Sequence, residues 1–187
     1  MADRLLGIYL NDQLAAAVLA RELARRAQRE NAATPLGDAL QRVAKTMAED
    51  VATFGQVVEL LGLPRSRVKP LAAMAAERLG RLKRNGSRRG YSPLSRFVEL
   101  DALALALDAK ERLWANLRDL TDAGERLPYL DFDHLIERTR RQRAEIEAFR
   151  LASGHEALGR AVRPPSAPPP RGRPPARAPA DRRSRQL

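Results

Sequence analysis

No cysteine occurs in the 187 residues, which excludes disulfide scaffolds, cysteine-ligated zinc or iron–sulfur sites and thiol nucleophiles. Aromatic residues make up only 4% of the chain and histidines number two, so base-stacking platforms and imidazole-rich metal sites have few residues to draw on. Long apolar runs are missing as well. In MADRLLGIYLNDQLAAAVLA, Asn11, Asp12 and Gln13 break the opening stretch well short of a secretory h-region or a membrane span, so a soluble, cytoplasmic chain with no membrane contact is expected. There is no Gly-x-Ser-x-Gly, no glycine-rich phosphate loop and no triad-like set of Ser, His and Asp to support nucleophilic catalysis.

What the chain has is arginine, alanine, leucine and glutamate. Lys and Arg total 34 against 23 acids, a net charge of +11. The last 27 residues hold seven Arg and one Asp, so +6 of that charge and eight of the thirteen prolines sit beyond residue 160. Two units follow: a helical domain over 1–160 and an Arg/Pro-rich tail over 161–187. The tail has too few large apolar residues to build a core and is expected to be disordered, with extended polyproline II character. Within the first unit, strong helix formers dominate and no stretch alternates with period two.

Five helical stretches are predicted, four long and one short. Leu6, Leu10, Leu14, Ala17 and Ala24 share one face of a first helix from Asp3 to about Asn31. Thr34-Pro35 supplies a cap and a first-turn proline for a second, whose stripe of Leu36, Leu40, Val43, Met47, Phe54, Val58 and Leu61 stops at Gly62 and Pro64. Pro70 opens a short helix ending at Asn85-Gly86. Ser92-Pro93 repeats the start signal for a third long helix carrying Leu100, Leu103, Leu107, Trp114 and Leu117 to about residue 121. Asp131 or Asp133 caps the fourth, with Leu135, Thr139, Gln142, Ile146 and Phe149 as its stripe to about Ser153. The first pair and the last pair are joined by short loops and should be antiparallel; the 31 residues from Gly62 to Ser92 are long enough to cross a bundle about 40 Å in length. The expected fold is all-α, an up-down-down-up four-helix bundle with one long crossover, which is the ferritin-like arrangement.

Residue patterns point the same way. The segment YLNDQLAAAVLARELARR resembles the first helix of ferritin-like proteins, and LKRNGSRRGYSPLSRFVELD, from Leu82 to Asp101, resembles a bacterial ferritin-like group that lacks the di-metal ligand set. A ferritin-like di-iron centre takes a Glu from each of two helices and a Glu-x-x-His from each of the other two. Here the corresponding positions read Glu49-x-x-Ala52 and Asp50-x-x-Thr53, then Glu137-x-x-Arg140 and Glu145-x-x-Ala148, and Ala17 stands where the first helix would offer its glutamate. His134 and His155 fall at helix ends, with only Asp131 three residues before His134. No metal or other cofactor is expected.

Matching heights along such a bundle brings Asp50, Lys110 and Gln142 to the level of Ala17, with Thr46, Thr139 and Arg21 within a turn. The candidate site is therefore a buried polar layer of Arg21, Asp50, Lys110 and Gln142, in which Lys110 or Arg21 supplies the positive charge a metal would have supplied. The competing reading has both cations snorkelling at the edge of the apolar face with their heads in water. A second candidate is the acid-free run from Arg78 to Arg96, in which Arg81, Lys83, Arg84, Arg88 and Arg89 could contact anions; alternatively its arginines pair with Glu77, Glu99 and neighbouring acids. The expectation is a non-catalytic binding or scaffold protein of unknown target, able to self-associate. The alternatives are a divergent metal- or cofactor-dependent ferritin-like enzyme, and a nonspecific binder of nucleic acid or acidic protein through the tail and crossover.

Overall fold

The computed structural model describes residues 2–64 and 91–159. The short helix expected from Pro70, the anion-contacting candidates Arg81, Lys83, Arg84, Arg88 and Arg89, and the tail 161–187 lie outside the described residues. Among the described residues the chain is all-helical, with no strand and five helices: α1 (Ala2–Glu30), α2 (Pro35–Leu60), α3 (Pro93–Leu120), α4 (Ala123–Arg126) and α5 (Phe132–Leu158). Among them no helix is long and apolar enough to cross a membrane.

The helix starts follow from local chemistry. Thr34 and Ser92 stand in extended backbone ahead of a proline, and their hydroxyls accept the backbone N–H of Gly37 and Ser95, each at 3.1 Å. The open choice at the last helix falls to Asp131, whose carboxylate accepts the His134 N–H at 2.8 Å. Asp133 instead accepts from Arg118. At the end of α2, Gly62 takes φ 69°, its N–H reaches the Glu59 carbonyl at 2.9 Å, and the Leu63 N–H reaches Val58 at 3.1 Å. That is a Schellman cap, in which glycine adopts the left-handed conformation at no Cβ cost. Gly37 is needed for another reason: a Cβ there would lie 2.0 Å from the Asn31 carbonyl oxygen, so the α1–α2 turn closes only over a bare backbone.

Two differences from the sequence reading concern the end of the chain. α5 runs five residues past Ser153, to Leu158. The single-turn α4 stands in the stretch that the sequence pattern leaves as a connection; it buries Ala123, and Leu127 just beyond it is 1% exposed.

The helices pack as α1 on α2 and α3 on α5, with α1 also meeting α3 and α2 also meeting α5. The core is in two pieces. One is built from Leu10, Leu14, Phe54, Val58, Trp114 and Leu117 among others; the other from Leu23, Ala24, Leu40, Val43, Leu103, Leu107 and Ile146 among others. Between them, at the level of Ala17, the stripes of α2, α3 and α5 turn polar, at Asp50, Lys110, Thr139 and Gln142, all buried.

Candidate functional site: a buried charged layer

Three stripe positions that should read apolar instead carry Asp50, Lys110 and Gln142, and helical periodicity turns each inward. Such groups are costly in a dry interior unless each donor and acceptor is matched. Here they match one another. The Lys110 ammonium donates to Asp50 Oδ2 and to Gln142 Oε1, and Gln142 Nε2 donates to Asp50 Oδ2 at 3.1 Å. The second carboxylate oxygen, Oδ1, accepts from the guanidinium of Arg138. Thr139, buried one turn before Gln142, returns its hydroxyl to the Leu135 carbonyl at 2.8 Å and so brings no open donor into the layer. Lys110 Nζ is held by these bonds inside the core, with 8% of the residue exposed, which corrects the reading of it as a snorkelling surface cation. Burial pulls its pKa below the ordinary lysine value, with the Asp50 carboxylate working against that shift and Arg138 working with it.

Arg21 is not part of this group. It lies at the edge of α1 and pairs with its neighbour Glu22, the nearest contact 2.8 Å long; a glutamate one residue away satisfies it without a reach into the core. Arg138 takes the second cationic place. It stands three residues after Leu135 and four before Gln142, hence on the flank of the same helical face, and that spacing is the signal by which it could have been found. Thr46 also stays out, bonding back to its own helix at the Arg42 and Val43 carbonyls.

A cavity of about 60 Å³ adjoins the layer on its α1 side. Ala16, Ala17 and Ala20 of α1 line it against Met47, Asp50 and Phe54 of α2 and Lys110, Leu113 and Trp114 of α3. The small side chain at position 17 leaves this volume. Trp114 is 1% exposed and packs edge-on to Phe54, ring centroids 5.6 Å apart, and its Nε1 has no hydrogen-bond partner among the described residues.

A second polar group sits where the end of α1 meets the start of α3. Tyr91 donates its hydroxyl to Glu99 Oε2 at 2.8 Å, Asn31 Nδ2 reaches the Tyr91 oxygen at 3.3 Å, and Arg26 Nε stands 3.2 Å from Glu99 Oε1. Glu99 is 1% exposed. Its pKa is raised, first by burial and also by the nearby Glu30 carboxylate, against the opposing pull of Tyr91 and Arg26. The Tyr91 hydroxyl is pushed up as well, by burial and then by the Glu99 charge. Among the described residues Glu99 is met by α1 and by Tyr91; of the arginines suggested as its partners only Arg96 lies among them. Arg96, the described arginine of the 78–96 run, bonds to Glu156 at 3.1 Å and lies 6.0 Å from the centre of the Tyr91 ring.

The two histidines are exposed at the ends of α5, and among the described residues no group of three or more His, Cys, Asp or Glu is placed to hold a metal ion. No family model, no curated protein and no solved structure matches the chain.

Proposed function

We propose that this chain is a ferritin-like, up-down-down-up four-helix bundle in which a lysine occupies the place of the metal, and that it works as a non-catalytic binding or scaffold protein. Helix directions support the topology. Arg26 meets Glu99 and Tyr9 meets Asn116 at opposite ends of α1 and α3. Along α3 and α5, Arg96 meets Glu156 while Arg118 meets Asp133. Along α2 and α5, Arg42 meets Glu145 and Asp50 meets Arg138. Each of these three pairs therefore runs antiparallel, and α1 and α2 are joined by a four-residue turn.

The observation that carries the reading is Lys110, whose ammonium bridges α2 and α5 from α3 at mid-length. A cation there neutralises a core carboxylate and ties three helices at one height, which fixes their register against sliding; single buried polar groups serve that purpose in helical assemblies. Elemental analysis of protein purified without a histidine tag tests it. Substoichiometric iron, manganese and zinc is expected, and one or two equivalents of any of them would favour a divergent metal-dependent enzyme. Self-association through a helix face belongs to the same proposal, with light scattering as its check.

A second reading rests on the charge split, +6 on residues 161–187: the arginines there and in the crossover contact nucleic acid or acidic protein without sequence preference. Such contacts weaken steeply with salt. Retention on DNA should fall when residues 161–187 are removed, most clearly at low salt, and equal retention by both forms overturns the tail's role.

A further inference from the structure

Residues 65–90 lie outside the described residues, but the residues on either side of them are both anchored to α1. The Pro64 carbonyl accepts from Asn11 Nδ2 at 2.9 Å, near the start of that helix. Tyr91 takes a hydrogen bond at 3.3 Å from Asn31, just past the end of α1, and gives one at 2.8 Å to Glu99 of α3. From Asn11 to Asn31 the helix rises about 30 Å at 1.5 Å per residue, and the chain between Pro64 and Tyr91 has to cover that length. Along the way the outward rims of α1 and α3 are apolar. On α3, Val98, Ala102, Leu105 and Ala109 stand at helical spacing, Ala109 exposed and Leu105 65% exposed. On α1, Ala16 is exposed and Ile8 is 53% exposed. Ala16 and Ala109 both line the cavity of about 60 Å³, so they face each other across one opening between the two helices. Ile8 and Asp12 line a second groove together with Leu63 and Pro64, where the described chain ends.

We propose that residues 65–90 dock along this α1–α3 face as an amphipathic helix parallel to α1, with Leu71 near Ala16 and Ala109, and Ala75 near Leu105. Sequence pattern, length and charge all fit that seat. Val68, Leu71, Ala75, Leu79 and Leu82 recur every three or four residues, the anchor spacing of a helix laid in a groove. As a helix, Pro70 to Arg84 spans about 22 Å, which leaves a short connector to each anchor. The segment holds nine Lys and Arg against Glu77 alone, a charge of +8; with +6 on the tail and +11 overall, the remainder of the chain carries −3. Arg65 and Arg67 follow directly on Pro64, beside the groove that Asp12 lines. Being joined to the bundle at both ends, the segment meets the face intramolecularly, which favours it over a second copy. The same spacing turns Arg81 and Arg84 away from the bundle, so docking would present two of the crossover's cations on a fixed surface.

A chain without cysteine takes a single nitroxide label with no background. In the full-length, isotopically labelled protein, Ala73→Cys places the label on the side of the segment opposite its apolar row. The backbone amide signals of Ala16, Leu19, Leu105 and Ala109 should then lose most of their intensity. Those of Arg42 and Glu145, whose side chains meet across the opposite α2–α5 face, should lose little. Loss at Arg42 and Glu145 instead, loss spread evenly over the four long helices, or no loss at all overturns the proposal. A mixture of nitroxide-bearing chain without isotope and isotope-labelled chain without nitroxide should show no loss; the same pattern there would give the face to a second copy and overturn it as well. Leu105→Asp, at a side chain otherwise open to solvent, should remove the selective loss and lower the melting midpoint, and Leu71→Asp within the segment should do the same. Wild-type intensity patterns in both variants would overturn the apolar contact on which the docking depends.

Discussion

Among the described residues two carboxylates are buried almost completely, and they are treated differently. Asp50, at mid-length, has both oxygens bonded, to the lysine of α3 and to the arginine and glutamine of α5. Glu99, near the start of α3, accepts one hydrogen bond among the described residues, from the Tyr91 phenol; Arg26 stands beside its other oxygen, which completes no hydrogen bond among them. In a low-dielectric interior the quality of the match decides the protonation state. Glu99 is pushed toward its neutral form, while at the other site burial falls on the partner and it is Lys110 whose charged form is disfavoured. The first site is organised around a fully bonded ion pair, the second around a carboxyl group whose burial is only partly offset by Tyr91 and Arg26.

The largest expected effect breaks the first site. Asp50→Ala leaves Lys110 buried beside Arg138 without an anion, and removing one member of a buried pair costs about 3–5 kcal/mol. Chemical denaturation should show that loss as a lower midpoint at unchanged slope. Replacing the pair together, as Asp50→Leu with Lys110→Leu, should recover most of it, because well-packed apolar residues often do as well as a buried pair. Arg138 is part exposed and can turn to solvent in that variant. A double variant as unstable as Asp50→Ala would show that the cost lies in shape and not in charge.

The second site answers more weakly and through pH. Glu99→Ala removes the acceptor of the Tyr91 phenol and should cost about 1–3 kcal/mol, the usual penalty for an orphaned buried donor. Glu99→Gln keeps an acceptor and removes the titration. A carboxyl group whose folded pKa is raised contributes stability that is fully present below its unfolded value, near 4.5, and lost as pH rises through the folded value. The midpoint of Glu99→Gln minus that of the wild type should therefore grow more positive as pH rises from about 4.5. A difference flat across that range would mean that Glu99 is ionised in the folded protein as readily as in the unfolded one.

How much of this could be read beforehand depends on how far apart in sequence the interacting groups stand. Thr34-Pro35 and Ser92-Pro93 announce their helices because capping is settled within four residues. The buried stripes of α2 and α3 announce the core because their period is local. Asp50, Lys110 and Gln142 were legible as a set, since each breaks an apolar stripe and short loops fix the relative heights. Arg138 was missed and Arg21 wrongly included: Arg21 has a competing glutamate next door on its own helix, and Arg138 sits on the flank of a stripe whose rotation pattern alone leaves loose by a residue. The cluster of Asn31, Tyr91 and Glu99 was not legible, because Asn31 and Tyr91 are 60 positions apart and neither interrupts a stripe. The cavity likewise depends on how α1 leans on α3, which no single helix encodes.

The smallest effect concerns the α3–α5 seam, where charge is again paired across helices but in water. Arg143 meets Asp108 at 2.6 Å, Arg150 meets Asp101 at 2.9 Å and Arg140 meets Glu111 at 2.8 Å, with side chains about a fifth to three-fifths exposed. The same residue types that decide stability at Asp50 should count for little here, because solvent screens the pair and two long side chains lose freedom to form it. A double-mutant cycle on Arg143→Ala and Asp108→Ala should give a coupling of about 0.2–1 kcal/mol, shrinking further in high salt. A coupling as large as that between Asp50 and Lys110 would mean that burial does not set the difference between the two regions. The seam pairs would then act as one network through Glu147, which accepts from both Arg143 and Arg150.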